Sequence, residues 1–361
     1  MPNQALTGAR KNKNDEFYTQ LDDIEREINA YLAFDPDVFR GKTVLLPCDD
    51  PKWSNFTRYF AQNFERLGLK KLVSTGYAVV RKRELGLLPG FGPEEPVDER
   101  LTHGTIFELD GDTNGNGVVD LDDLVGRLLD GDGDFRSEEV RRLRDEADVI
   151  VTNPPFSLFR EFLMWLMDSG KQFLVIGNLN AISYMEVFPL LMNDRMWLGN
   201  GFAHGDAYFG IPQGARNDYA SGVYDAATSL VKFRNCCWFT NIDHGKRHQP
   251  LNLMTWGENV KFSRHKIVRG QGYREYDNYN AIDVPYTDAI PEDYEGAMGV
   301  PISFLDKYCP EQFEILNCND FRRSEVVPRK QHGLIKDKEG AIDGQPTYVR
   351  VLIRRRKGEE E

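Results

Sequence analysis

Residues 147–156, Ala-Asp-Val-Ile-Val-Thr-Asn-Pro-Pro-Phe, read as a buried strand that runs straight into a proline-braced loop. A helix is expected from Ser157, with Phe159, Phe162, Leu163 and Leu166 forming its apolar side. Open α/β sheets place their chemistry just past the carboxyl ends of their strands. The Asn-Pro-Pro-Phe loop therefore stands where an active site is expected.

The residue types suit one kind of chemistry. An exocyclic amine such as adenine N6 is a poor nucleophile because its lone pair is delocalised into the ring. Two acceptors on its hydrogens pull the nitrogen toward a tetrahedral shape and aim the lone pair at an electrophile. The Asn153 side-chain carbonyl and the Pro154 main-chain carbonyl are candidates, since the tandem Pro154-Pro155 holds the loop extended. Phe156 is placed to stack on an extruded base. The competing reading is an ordinary turn, because Asn and Pro dominate turns anyway. The strand before the loop and the amphipathic helix after it favour a methyl-transfer site.

Working outward, 361 residues suggest two domains, or one large domain with a substantial addition. A hydrophobic content of 40% supports a real core, and no apolar run approaches the ~18 residues of a membrane span. The amino terminus, MPNQALTGARKNKNDEF, carries no apolar leader-like run, so nothing points to secretion. Five cysteines without framework spacing fit reduced thiols in a cytoplasm. Cys236-Cys237 are adjacent and Cys309 and Cys318 lie nine apart, which is not zinc-knuckle spacing.

The net charge of −12 is unevenly spread. Residues 101–150 hold 14 acids against 5 bases, a net −9, leaving −3 for the other 311 residues. Residues 301–361 hold 12 bases against 11 acids, with clusters at Arg322-Arg323, Arg329-Lys330 and Arg354-Arg355-Arg356-Lys357. The acidic balance therefore does not veto a polyanionic partner bound through one face.

Upstream of the loop, Phe17-Tyr18-Thr19 precedes a helix with Ile24, Ile28, Tyr31 and Leu32 at helical spacing, for which Asp22 or Asp23 is the expected cap. A strand at Thr43–Pro47 ends in Cys48-Asp49-Asp50-Pro51. It is followed by a helix from about Ser54 to Leu67, with Phe56, Tyr59, Phe60 and Phe64 on one side. The first strand-to-helix turn of a doubly wound sheet is the usual nucleotide position, and here it lacks a Gly-x-Gly signature. Asp49 and Asp50 instead suit a positively charged ligand, such as the aminoacyl end of S-adenosylmethionine. A second strand is expected from Lys71 to Tyr77 and another at Thr105–Leu109, either side of a Gly- and Pro-rich surface excursion at 84–103.

The acidic stretch that follows has calcium-loop spacing. Asp112, Asn114, Asn116, Gly117, Asp120 and Asp123 occupy positions 1, 3, 5, 6, 9 and 12 of an EF-hand-like loop, with Asp rather than Glu last. The alternative is an acidic, Gly-rich insertion loop spanning about 110–130. Asp134 and Phe135, just before a helix running to Glu146, suit a cofactor adenine: the carboxylate accepts from its amine and the ring covers its face.

Downstream, Gln172–Gly177 reads as another strand ending at Asn178-Leu179-Asn180. A helix near Met185–Leu191 and a strand at Met196–Leu198 are expected to complete a parallel pattern. From about Asn200 the texture shifts to Gly, Asn, aromatics and short β-like runs, which sets the expected boundary between a catalytic domain, 1–199, and a target-recognition region, 200–361. Lys246, Arg247, Arg322, Arg323, Arg329 and Lys330 are candidate phosphate or base contacts.

The blocks NKNDEFYTQLDDIE, CDDPKWSNF, GDGDFRSEE, ADVIVTNPPFSLFREF and FLVIGNLNAISY together resemble the EcoRI-type DNA adenine-N6 methyltransferases. The likeness extends through PISFLDKYCPEQFEIL to YVRVLIRRRK, nearly the whole chain. It implies a class I S-adenosylmethionine-dependent methyltransferase fold, a Rossmann-like doubly wound α/β sheet with a C-terminal target-recognition region. It further implies a base flipped from duplex DNA, with a paired restriction endonuclease as a possible partner of the activity.

Carried onto this chain, Asn153, Pro154, Pro155 and Phe156 match the amine-activating motif. Phe17, Tyr18 and Thr19 match the amino-terminal cofactor block, and Cys48, Asp49, Asp50 and Pro51 its variant of the first loop. Asp134 and Phe135 match the cofactor-adenine block. The segment from about Asp112 to Leu129 departs from the family pattern as an insertion. Two rival functions remain open: transfer to an RNA adenine or a protein glutamine amide, and a non-catalytic, calcium-dependent interaction module built on the acidic loop.

Overall fold

The computed structural model describes residues 17–50, 54–78, 102–202, 206–210, 222–225, 227–318 and 340–356. The chain forms two compact units, residues 1–181 with 199–243 and residues 182–198 with 244–361. The stretch after Asn200, taken from the sequence as the start of the recognition region, thus groups up to Asp243 with the first unit.

The first unit opens with strand β1 (Tyr18–Thr19) and helix α1 (Leu21–Phe34). Gln20 occupies the cap position of α1 without a side-chain cap bond, and Asp22 and Asp23 lie in its first turn instead. There they complement the helix dipole rather than cap the backbone. Ile24, Ile28 and Tyr31 are buried as the spacing predicts, and Glu27 is buried with them.

Strand β2 (Thr43–Leu46) leads to α2 (Asn55–Gln62), which the Ser54 hydroxyl caps by accepting from Phe56 and Thr57 amides. The expected single helix breaks at Asn63, and a further turn, Phe64–Leu67, ends on Gly68 at φ +63°. Strands β3 (Lys71–Gly76), β4 (Thr105–Leu109) and β5 (Val125–Leu128) follow. Helix α3 (Glu138–Glu146), capped by Ser137, then leads to β6 (Val149–Thr152), α4 (Phe159–Ser169) and β7 (Gln172–Asn178). A 3₁₀ turn, Phe156–Leu158, precedes α4, which buries Phe159, Phe162, Leu163 and Leu166.

The unit closes with β8 (Asp206–Gly210), β9 (Tyr224–Asp225), β10 (Leu230–Arg234) and β11 (Cys236–Thr240). Seven strands of the main sheet lie in this unit, in the order β5-β4-β3-β2-β6-β7-β11. The four central strands are parallel, flanked by antiparallel β4 on one side, with β5 antiparallel to β4 beyond it, and by antiparallel β11 on the other. The strand order reverses at β2, which has β3 on one side and β6 on the other. The gap past their carboxyl ends is the topological switch point.

A second sheet, β1-β8-β10-β9, is antiparallel and pairs Tyr18 with Gly210 and Thr19 with Phe209. The acidic segment is more than a surface insertion: its end is strand β5, and Val119, Leu121 and Leu124 pack against the core.

The second unit holds α5 (Phe188–Met192) and α6 (Trp256–Phe262), the latter opened by a Thr255–Glu258 capping box. Its sheet has the order β12-β13-β14-β16-β15, with β12 at Arg274–Glu275, β13 at Ala281–Asp283, β14 at Ala297–Pro301, β15 at Phe313–Cys318 and β16 at Arg350–Arg355. The short strand Trp197–Leu198 belongs to this unit as well. Cys48, Cys236, Cys237 and Cys309 are free thiols. Among the described residues, no helix is long and apolar enough to cross a membrane.

Candidate active site

Three segments distant in sequence meet at the switch point. Parallel pairing of Val44 with Val149 and Leu45 with Ile150 brings the ends of β2 and β6 side by side. Asp49, past β2, is buried and accepts from the Thr152 hydroxyl at 2.6 Å and the Ser54 hydroxyl at 2.7 Å. One carboxylate thus ties the last residue of β6 to the cap of α2. Burial pushes this carboxyl up to about 6, against the two hydroxyl bonds that favour its charged form. The Asp49 carbonyl accepts from Thr57 at 3.3 Å and from Ser74. Cys48 and Asp50 are half-buried beside it, and Pro51 lies outside the described residues.

Asn153 follows Thr152 directly. Its Nδ2 donates to the Phe17 carbonyl at 2.7 Å. A carbonyl can only accept, so this bond fixes which end of the amide faces the amino-terminal strand. The other end, Oδ1, is buried with no hydrogen-bond partner. A buried, unpaired carbonyl is costly, at about 1–3 kcal/mol, and is satisfied in a native fold by a water, an ion or a ligand. Pro154 is buried, and the Pro155 carbonyl accepts from Leu158 at 2.9 Å, turning the chain into α4.

Phe156 lies 5.8 Å from Phe17 in a stacked arrangement and meets Phe209 and Phe233 edge-on at 5.9 and 5.5 Å. The amino-terminal block is thus brought to the loop as the edge strand of the small sheet. Tyr18 is half-buried, whereas Thr19 is buried and its Oγ1 also lacks a partner. Asn55 Nδ2 holds the Thr19 carbonyl at 2.7 Å.

The Gly-Asp-Phe loop approaches the same sheet edge through glycines. A Cβ on Gly104 would stand 2.7 Å from Gly133 Cα and 2.8 Å from the Gly76 carbonyl, so three segments cross where side chains cannot fit. Asp134 and Phe135 themselves have other partners. The Asp134 carboxylate is gripped by Arg136 at 2.6 and 2.8 Å, and Arg136 also reaches Glu161. Phe135 is buried against Phe162 and Trp165, at 5.0 and 5.7 Å. In this arrangement the ring is core rather than a cover for an adenine.

The calcium-loop reading finds no support in the structure. Asp112 accepts from the amides of Gly115 and Gly117 at 2.6 and 2.7 Å, Asn114 from Asn116 and Asn116 from Val118. Asp120 accepts from Asp122, and Asp123 from the amides of Thr113, Asn114 and Asp120. These oxygens satisfy the loop's own backbone. Among the described residues, no group of three or more His, Cys, Asp or Glu side chains is arranged to hold a metal.

In the second unit, Lys246 pairs with Asp306 at 2.7 Å. Arg247 is buried, pairs with Asp194 and lies 4.0 Å over the Trp197 ring, so its charge is used within the fold. Arg322, Arg323, Arg329 and Lys330 lie outside the described residues. Thr152, Asn55, Phe209 and Phe233 escaped the sequence reading. Asn55, at the start of the helix after Cys-Asp-Asp-Pro, is the one that its motif could have pointed to.

A family model described as "Adenine-specific methyltransferase EcoRI" matches residues 5–356. The chain is 39% identical over 356 residues to the type II methyltransferase M.EcoRI of Escherichia coli, covering 98% of this chain and 97% of that one. It is 32% identical to M.MpnI of Mycoplasma pneumoniae and 31% identical to M.MgeORF184P of Mycoplasma genitalium, each over 96% of this chain and 97% of the relative. Both are also named type II methyltransferases. No solved structure matches.

Proposed function

The chain belongs to the EcoRI family of adenine-specific methyltransferases, and on that premise we propose that it transfers a methyl group from S-adenosylmethionine to N6 of an adenine flipped out of duplex DNA. The observation that carries this reading is Asn153 Oδ1, a buried acceptor with no partner at the carboxyl end of β6. Its amide is oriented by the Phe17 carbonyl, so it offers oxygen rather than N–H to the incoming group. An exocyclic amine donates two hydrogens; Asn153 Oδ1 takes one and the Pro154 carbonyl the other. Phe156 bears on the face of the base.

The residues around the switch point suit the methyl donor, supporting a class I, Rossmann-like assignment. Thr19 Oγ1 is a second buried polar atom without a partner, and the half-buried Asp50 carboxylate suits a cationic ligand, whereas Asp49 is engaged by Thr152 and Ser54. Bound there, S-adenosylmethionine supplies a sulfonium methyl whose leaving group is neutral. The chain's part is to bring the amine in line and exclude water, so positioning supplies much of the acceleration. Asp134 fits a cofactor-adenine role only if Arg136 releases its carboxylate, and Phe135 supports that loop from the core.

The test is methyl transfer from labelled S-adenosylmethionine onto unmethylated duplex DNA, followed by nucleoside analysis. N6-methyladenine in DNA is the expected product. Label appearing only in RNA or in protein glutamine would overturn the substrate assignment and leave the amine-activating loop intact. A DNA-modifying activity of this kind also fits a paired restriction endonuclease, as the type II names of the relatives suggest.

A further inference from the structure

We infer that residues 261–274, running from the last residues of α6 through the following turn to the start of β12, form a contact surface for the DNA phosphate backbone; this rests on duplex DNA being the substrate. The stretch reads KFSRHKIVRGQGYR and carries Lys261, Arg264, Lys266, Arg269 and Arg274 with no acid, in a chain of net charge −12. All five bases are exposed.

Among the described residues, four other basic side chains of this unit are neutralised. Arg247 pairs with Asp194, Lys246 with Asp306, Arg350 with Asp283 and Arg354 with Glu314. Within the turn, Arg264 meets Asp288 at 2.8 Å and Arg274 pairs with Asp343. Lys261 lies 4.8 Å over the Phe262 ring. Lys266 and Arg269 form no ion pair among the described residues. The nearest acids along the chain are Glu258, bonded within its capping box, and Glu275.

The surface is built rather than loose. Gly270 donates back to the Val260 carbonyl at 2.8 Å, and Arg269 and Gly272 close turns onto His265 and Val268 at 2.9 and 2.8 Å. The His265 ring stacks on Tyr286 at 3.6 Å and bonds Asp288 at 2.8 Å. A fixed turn presents its charges with little ordering cost on binding. Phe262 and Ile267 are 61% and 50% exposed between these charges. Fixed cations that neutralise phosphates release condensed counterions, so each contact adds to the salt dependence of binding.

The experiment is a salt titration of binding to a labelled duplex oligonucleotide by the full chain and by Lys266→Ala/Arg269→Ala. The double variant is expected to lower the slope of log affinity against log salt by roughly two, at about 0.9 per contact. Between 50 and 200 mM salt its affinity then falls about tenfold less than that of the unaltered chain. The loss is equal for duplexes of any sequence, and affinity for S-adenosylmethionine and the thermal midpoint are unchanged. Lys266→Arg/Arg269→Lys keeps the original slope. An unchanged slope in the alanine variant, with the unaltered chain methylating DNA, would overturn the surface and leave the function standing. Absence of duplex methylation by the unaltered chain would overturn both.

Discussion

Two loops of the first unit follow strands of one sheet and both offer side-chain oxygens, yet they end differently. In the Asp112–Asp123 loop after β4, the carboxylates and amides turn back onto the loop's own N–H groups. In the Asn153–Phe156 loop after β6, the prolines remove backbone donors and the single amide oxygen is left buried and unpaired. The acidic loop spends its acceptors on its own shape. The proline loop keeps one in reserve for a ligand. An oxygen in the sequence does not by itself mark a ligand site; what decides is whether local donors exist to consume it.

The largest effect expected from this contrast is at Asn153. Asn153→Ala removes the reserved acceptor and should lower single-turnover methyl transfer by about 10³-fold, in the range found for deleting one preorganised polar group from an active site. Affinity for S-adenosylmethionine, read by calorimetry, should stay within a few-fold. Loss of cofactor binding with turnover intact at saturation would reverse the assignment.

Asp49 gives the next effect, as a pH dependence. Its folded value, about 6, lies above the ordinary 3.8, so folding favours the neutral acid. The stability this confers is fully present below the ordinary value and is lost as pH rises through about 6. The span is worth about 3 kcal/mol. Asp49→Asn keeps one acceptor for Thr152 and cannot ionise. Denaturant unfolding of the variant should therefore lack the decline that the unaltered chain shows between pH 4 and 7; parallel curves would contradict the buried-acid account.

A smaller effect belongs to the acidic loop. Three backbone amides hold the Asp123 carboxyl below its ordinary range, so its contribution to stability is present at neutral pH and lost as pH falls through the depressed value. Asp123→Ala should lower the thermal midpoint by a few degrees while turnover at saturation is unchanged. The smallest effect is none: a chelator should alter neither turnover nor midpoint, and a shift in either would restore a metal to this loop.

Much of the first unit was legible because its signals are local. The β-branched Val-Ile-Val run, the start of α2 near Ser54 and the apolar side of α4 each lie within a dozen residues of what they determine. Partnerships across the chain were not. Phe17 reaches Asn153 across 136 positions, and β1 pairs with residues near 210, so the β-like texture past Asn200 reads as a new domain when it completes the old one. Phe135 shows the same limit. Its motif suits a cofactor ring, but packing against Phe162 and Trp165 is set by helix placement that no spacing rule reports. Cations can be located along a chain without their pairing being known. Arg247 looks like a surface base until Asp194 and Trp197 close over it, whereas the acid-free turn at 261–274 passes unnoticed.

The central claim, that the Phe17 carbonyl orients Asn153 so its oxygen meets the target amine, is tested most directly by Asn153→Asp. An ionised carboxylate at this position would set its oxygen against the Phe17 carbonyl, and only the protonated acid can donate there. The pH profile of single-turnover transfer should show the variant severely impaired at pH 8, recovering relative to the unaltered chain as pH falls toward 5.5. A variant as active as the unaltered chain, with the same profile, would contradict the account.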